Sequence, residues 1–385
     1  MNIYLDNAAT TRLDPRVFAD MKVYFSDKYA NASSIHLPGQ AAYLDLMSAK
    51  DRIAKCLHGR PESVIFTSGA TEANNLIIKG VALANQDAKR RKVIVSAIEH
   101  PCVLESAREL AAAGFQIEYI QPDSDGIIQP EALKKIVDKQ TILVSVMAVN
   151  NEIGTIQDIA ALAAIAHDNG AYFHTDATQA VPYLEFDVEK MGIDLLSFSA
   201  HKIYGPKGVG AAYISKGIKL RPLIVGGGQE DGYRAGTYNL PGIMGFASAF
   251  ELAYKERKAY LKKVKALRDR LWKGIQKGIP DARLNGSWEK RIPANLNVMF
   301  SYVEGEAILI DLSYKGIQVS TGSACSASNL KASPVLKAIG LNKNFLNSNI
   351  RFSLGRFNTE KEIDKAISAL KTTVARLRQF SPIKN

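Results

Sequence analysis

Lys202 stands in SFSAHKIYGPKG, directly after the apolar, strand-like run Leu195-Leu-Ser-Phe-Ser and before a Gly/Pro turn. That placement sets its amine at the carboxyl end of a sheet strand, where open α/β folds bind ligands. A lysine there can form a Schiff base with a carbonyl, and it can equally be a surface lysine in a loop. Asp176, in HTDATQAV, ends another apolar strand earlier in the chain. Alone it reads as readily as a helix cap. Paired with Lys202, it can face the ring nitrogen of a pyridine cofactor and keep the ring an electron sink, as pyridoxal phosphate (PLP) chemistry requires. Gln179 lies one turn on, within reach of a ring hydroxyl.

Other residues can complete such a site. TSGATEANN follows the run Val64 to Phe66 and opens a helix, so the backbone N–H groups at Ala70 and the Thr71 hydroxyl can hold a phosphate at the positive helix terminus. Such turns often serve only packing, and no dinucleotide G-x-G-x-x-G is present. Ser199 and His201 flank the lysine and add donors to the same phosphate. His100, in AIEHPCV, can stack on a ring and move protons, or be an ordinary structural histidine. Cys102 beside it reads as packed. Cys325 lies among small and polar residues in VSTGSACSASNLKASPVLKAIG, with no hydrophobic period to bury it, and so reads as an exposed thiol. In SNIRFSLGRF, Arg351 and Arg356 each offer a planar fork for a carboxylate, or a surface ion pair.

The elements that must carry these residues follow a regular alternation. Strand-like runs Val64-Ile-Phe-Thr, Lys92-Val-Ile-Val-Ser, Phe115-Gln-Ile-Glu-Tyr-Ile, Thr141-Ile-Leu-Val-Ser-Val, Ala171-Tyr-Phe-His, Leu195-Leu-Ser-Phe-Ser and Val209-Gly-Ala-Ala-Tyr-Ile alternate with helical patterns. The alternation predicts an α/β protein with a mainly parallel sheet covered on both faces. Asp14-Pro15 and Asp158 mark helix starts. After Gly242 a long helix leads into a smaller α+β domain, with strands around Leu296 to Phe300 and Gly316 to Ser320. The expected division is a large domain over 14–255 and a small one formed by 1–13 and 256–385.

The chain has 385 residues, 46% of them hydrophobic, which suits a folded protein with two cores and excludes a disordered one. Three widely spaced cysteines and six unclustered histidines support neither a disulfide framework nor a metal site. No charged region followed by an apolar stretch opens the chain, and the longest clean apolar run, Ile159 to Ala166, is far short of a membrane span, so a cytosolic protein is expected. The net charge of +11 raises the question of an acidic partner. Much of it lies in Lys255 to Lys277, where Leu261, Val264, Leu267, Leu271 and Ile275 predict one buried face and a solvated basic one, in preference to a docking site.

YLDNAATT, TSGATEANN, IEHP, VNNEIGT, HTDATQAV, SAHKIYGPKG, GGGQE, STGSAC and IRFSLGRF occur in this order. Together they resemble the cysteine desulfurases of the NifS/IscS type, group I, among the fold-type I PLP enzymes related to class V aminotransferases. The resemblance implies a seven-stranded, mainly parallel sheet and PLP as cofactor. It implies Lys202 as the Schiff-base lysine, Asp176 on the ring nitrogen, Gln179 on the ring hydroxyl and His100 over the ring. Thr71, Ser199 and His201 then hold phosphate, Asn151 and Arg351 the substrate carboxylate with Asn31 assisting, and Thr237 the phosphate of a neighbouring subunit, which implies a homodimer. The implied reaction converts L-cysteine to L-alanine, with the sulfur held as a persulfide on Cys325 and passed to an acceptor protein serving iron–sulfur cluster assembly, transfer-RNA thiolation or another pathway. Neither a membrane nor nucleic acid is expected as a direct ligand. Asp231 and Ala235 depart from the family's usual arginine and serine, and Lys331-Ala332 from Glu-Pro. The rival readings are a selenocysteine lyase or another class V enzyme, which needs Lys202 without Cys325, and an assembly scaffold.

Overall fold

The computed structural model describes residues 2–87, 89–321 and 333–381. Strand β1 (Ile3–Tyr4) and helices α1 (Pro15–Lys22) and α2 (Leu37–Leu57) precede a seven-stranded sheet. Its strands are β2 (Val64–Thr67), β3 (Lys92–Ser96), β4 (Gln116–Ile120), β5 (Thr141–Ser145), β6 (Tyr172–Asp176), β7 (Leu195–Ser199) and β8 (Gly210–Ile214), in the order β2-β8-β7-β6-β5-β3-β4. The pairings from β4 through β7 are parallel, and β8 runs antiparallel to both its neighbours. Strands β2, β3, β5, β7 and β8 are buried throughout, the pattern of a sheet covered on both faces, whereas edge strand β4 carries exposed Gln116 and Tyr119.

Helices α3 (Ala70–Asn85), α4 (Pro101–Ala112), α5 (Pro130–Ile136) and α6 (Ile159–Asp168) make the crossovers. The chain winds outward from β3 to β4 and then, from β5, in the opposite direction, so the carboxyl ends of β3 and β5 straddle a topological switch point. Ligand crevices of open sheets form there, because the crossover loops part to either side.

Helix α7 (Leu240–Gly278) connects two cores. Its first half sets Phe246 and Phe250 against Phe198 under the sheet, with ring centroids 5.3–6.0 Å apart. Its second half places Leu267, Leu271 and Ile275 in a separate core with Leu296, Val298, Ile350 and Phe352. That core belongs to the antiparallel sheet β12-β10-β9, built from β9 (Ala282–Leu284), β10 (Asn295–Phe300) and β12 (Asn349–Ser353). Around it lie α8 (Gly305–Tyr314) and α10 (Glu360–Phe380), with β11 (Ile317–Gln318) pairing β1 in parallel; α9 (Pro334–Ala338) is a short helix outside this core.

The buried stripe of α7 differs from the expected one at its start. Tyr260, not Leu261, is the buried residue, because its ring packs on Tyr183 and Tyr204. Much of the helix's positive charge is matched within the chain. Arg270 pairs with Asp364 (2.7 Å) and Glu360 (3.1 Å), Lys265 with Asp269 (2.8 Å) and Arg257 with Glu185.

Candidate active site

A cavity of about 590 Å³ opens at the carboxyl ends of the central strands. Most of the residues singled out from the sequence line it: Ala70, Thr71, His100, Asn151, Asp176, Gln179, Ser199, His201, Lys202 and Arg351.

One end suits an anion. Helix α3 starts at Gly69 without a side-chain cap, so its first-turn amides face the cavity beside Thr71, Ser199 and His201. His201 Nδ1 lies 3.1 Å from Thr10 Oγ1. Burial, with Lys202 and Lys207 nearby, pulls the His201 pKa down to about 4, so this ring is a neutral donor at pH 7.

At the other end Asp176 terminates β6, with 4% of its surface exposed. Its Oδ2 accepts a hydrogen bond from Asn74 Nδ2 (2.7 Å) and its Oδ1 one from the Thr178 N–H (2.8 Å). Both partners are neutral donors. Between the two ends, the Lys202 amine donates to the carbonyls of Ala8 (2.6 Å) and Ala9 (2.8 Å), and Gln179 Nε2 also donates to Ala8 (2.9 Å). The turn after β1 thus reaches the site through its backbone, a contribution invisible in the side-chain pattern.

His100 caps α4. Its Nδ1 accepts the Cys102 backbone N–H (3.2 Å), so that nitrogen carries no proton, and burial lowers the ring's pKa. Cys102 Sγ is 3.0 Å from the same nitrogen, and burial pushes its thiol up to about 12.

The two candidate arginines separate cleanly. Arg351, 3% exposed, lies on β12 and turns into the cavity, where it donates to the Asn151 carbonyl (3.0 Å) and to Asp6 (2.8 Å). Arg356 is held elsewhere, by Asp14 (2.5 Å) and over the Tyr204 ring (4.3 Å). Asn31 and Thr237 are both exposed and outside the cavity, and Asn31 accepts from the Ser33 N–H (2.9 Å). Cys325, Lys331 and Ala332 lie outside the described residues.

Several cavity residues escaped the sequence reading, among them Glu99 and Glu152, although each of these adjoins a residue that did not. Glu99, next to His100, accepts the Met147 N–H (2.6 Å), and burial raises its pKa well above the carboxyl range. Glu152, next to Asn151, accepts from the hydroxyl of Ser333 (2.6 Å), and burial raises its pKa too.

The arrangement fits PLP. The uncapped helix start would hold its phosphate, the buried Asp176 side chain, bonded only to neutral donors among the described residues, would face its ring N–H, and the Lys202 amine lines the same cavity. The comparisons agree. A cysteine desulfurase, IscS, of Dictyoglomus turgidum is 46% identical over 382 residues, 99% of this chain and 97% of that protein. A solved NifS-like protein matches at a TM-score of 0.92 and 40% identity, over 98% of this chain and all of the other. A structure of SspA in complex with cysteine matches at 0.82 and 34%, over 93% of this chain and all of the other. The class-V aminotransferase model matches residues 3–366, and the chain belongs to that family.

Proposed function

We propose that this chain is a PLP-dependent cysteine desulfurase that converts L-cysteine to L-alanine and keeps the sulfur as a persulfide on Cys325. The observation that carries the reading is the meeting, in one cavity, of an anion-binding helix start, the Asp176 carboxylate and the Lys202 amine, with the Arg351 fork at the same wall. When bound, PLP withdraws electrons from the substrate's α-carbon.

The chain's own residues do the rest. Arg351, with Asn151, holds the substrate carboxylate, which Arg does bidentately and Lys cannot. Lys202, exchanging its present carbonyl partners for the substrate, removes the α-proton and returns one later. His100 moves a proton at Nε2, since its Nδ1 is occupied by the Cys102 N–H. The Cys325 thiolate attacks the substrate sulfur. An S–S bond forms as the C–S bond breaks, and the electron pair of the C–S bond ends in a new C–H bond of alanine, so cysteine plus one thiol gives alanine plus one persulfide. A protein acceptor or a reductant discharges the persulfide.

Thr237, exposed and outside its own cavity, supports a homodimer in which it reaches the partner's phosphate. Ile35, Leu37 and Val225, each at least 79% exposed, supply an apolar surface for such contact. The two cores on α7 support division into a large domain, 14–255, and a small one, 1–13 with 256–385. No helix among the described residues is long and apolar enough to cross a membrane.

The test is release of alanine and sulfide from L-cysteine with a reductant, in wild type and in Cys325→Ser. Equal amounts from wild type, and loss of both in a variant that keeps the cofactor's visible absorbance, are expected. An unimpaired variant would point to another class V activity.

A further inference from the structure

Behind Asp176 lies a chain of hydrogen bonds that no step of the proposed reaction uses. Ser145, at the end of β5, is 2.8 Å from His174 Nδ1. His174 Nε2 is 3.3 Å from Ser197 Oγ on β7. Ser197 Oγ is 2.5 Å from Asn74 Oδ1 on α3, and Asn74 Nδ2 is 2.7 Å from Asp176 Oδ2. Ser145, His174, Ser197 and Asn74 are all fully buried, so none can turn to water instead.

The donor count fixes every proton in this chain. Asn74 presents its NH₂ to Asp176 and its carbonyl to Ser197. The Ser197 hydroxyl must then donate to that carbonyl, and having one proton it accepts from His174 Nε2–H. A neutral imidazole has a single N–H, so Nδ1 accepts from Ser145.

We infer that Ser145, His174, Ser197 and Asn74 form a one-way hydrogen-bond relay that fixes the Asn74 donor on Asp176 and holds that side chain turned toward the cofactor, with His174 as a positioning residue locked in its Nε2–H form. The inference rests on the reading that Asp176 meets the ring nitrogen of PLP. The surroundings agree with it. Burial pulls the His174 pKa down to about 4 and so keeps the ring neutral at pH 7. Glu99, Cys102 and His100, which neighbour Asp176, are pushed by burial toward their uncharged forms.

Two measurements test the relay. In the apo-protein, ¹⁵N NMR of labelled imidazoles at pH 7 is expected to show His174 with its proton on Nε2; a proton on Nδ1, or on both nitrogens, overturns the relay without any variant having to fold. In the second, His174→Gln keeps a donor at the Nε2 position, and His174→Asn reaches only the Ser145 side. The PLP dissociation constant of His174→Gln is expected within about threefold of wild type, and that of His174→Asn about tenfold weaker, the worth of one buried hydrogen bond. Equal constants for the two variants overturn the positioning role. A wild-type chain that takes up no PLP overturns the underlying cofactor reading, and the tautomer still decides whether the relay exists.

Discussion

Arg351 and Arg356 differ by five positions in sequence and by their whole surroundings in space. Arg351 is buried at the cavity wall, and Arg356 is committed to Asp14 and Tyr204. Replacing Arg351 by Lys keeps the charge and loses the fork, so kcat/KM for L-cysteine should fall by about 2 kcal/mol, roughly thirtyfold, mainly through KM. Arg356→Lys should leave KM near wild type and lower the melting temperature. Steady-state kinetics beside thermal unfolding separates the two. The cysteines differ for a similar reason. Burial pushes Cys56 up to about 11 and Cys102 to about 12, so both are thiols at neutral pH and poor nucleophiles. Limited iodoacetamide treatment followed by peptide mapping should find Cys325 alkylated first; prior labelling of Cys56 or Cys102 would contradict its assignment as the sulfur carrier. At this scale the reactive types were legible because Asp176 ends a strand and Lys202 and His100 each follow one. Glu99 and Glu152 were not, because a carboxyl's role here depends on burial, and burial is set by chains distant in sequence.

Helix starts and strands were legible in outline. Asp14 caps α1 as its position before Pro15 predicts, accepting the Arg16 N–H (3.0 Å). The structure adds that the same carboxylate is buried between the guanidinium groups of Arg16 and Arg356, which hold its pKa well below the usual range. Asp14→Ala removes a cap and leaves Arg356 without this partner, a cost of about 2–3 kcal/mol, measurable as a shift of the urea midpoint. All seven runs read as central strands lie in the seven-stranded sheet, within a residue or two at each end. The misplacement on α7 was one residue, Leu261 for Tyr260. Periodicity alone cannot say which of two adjacent apolar residues faces inward when an aromatic cluster from other elements, Tyr183 and Tyr204, decides it.

For the molecule as a whole, the buried histidines make stability depend on pH. His174 titrates near 4 when folded and near its ordinary 6.5 when unfolded. The unfolded chain therefore binds the extra proton between these values, and stability is full above pH 6.5 and falls as the pH drops toward 4. His201, also near 4, acts in the same direction. Urea unfolding between pH 4 and 7 should show the decline, with a shallower slope in His174→Gln; an unchanged slope would contradict a neutral buried His174. The sequence by itself determined the class of fold, the cofactor chemistry and a set of site residues most of which line the cavity, because strand ends carry their chemistry in the residues around them. Only the tertiary structure decided which arginine enters the cavity, that the carbonyls of Ala8 and Ala9 hold the Lys202 amine, and that Ser145, His174, Ser197 and Asn74 line up behind Asp176. Each of these depends on which strands and helices become neighbours, and long-range packing, not local spacing, sets that.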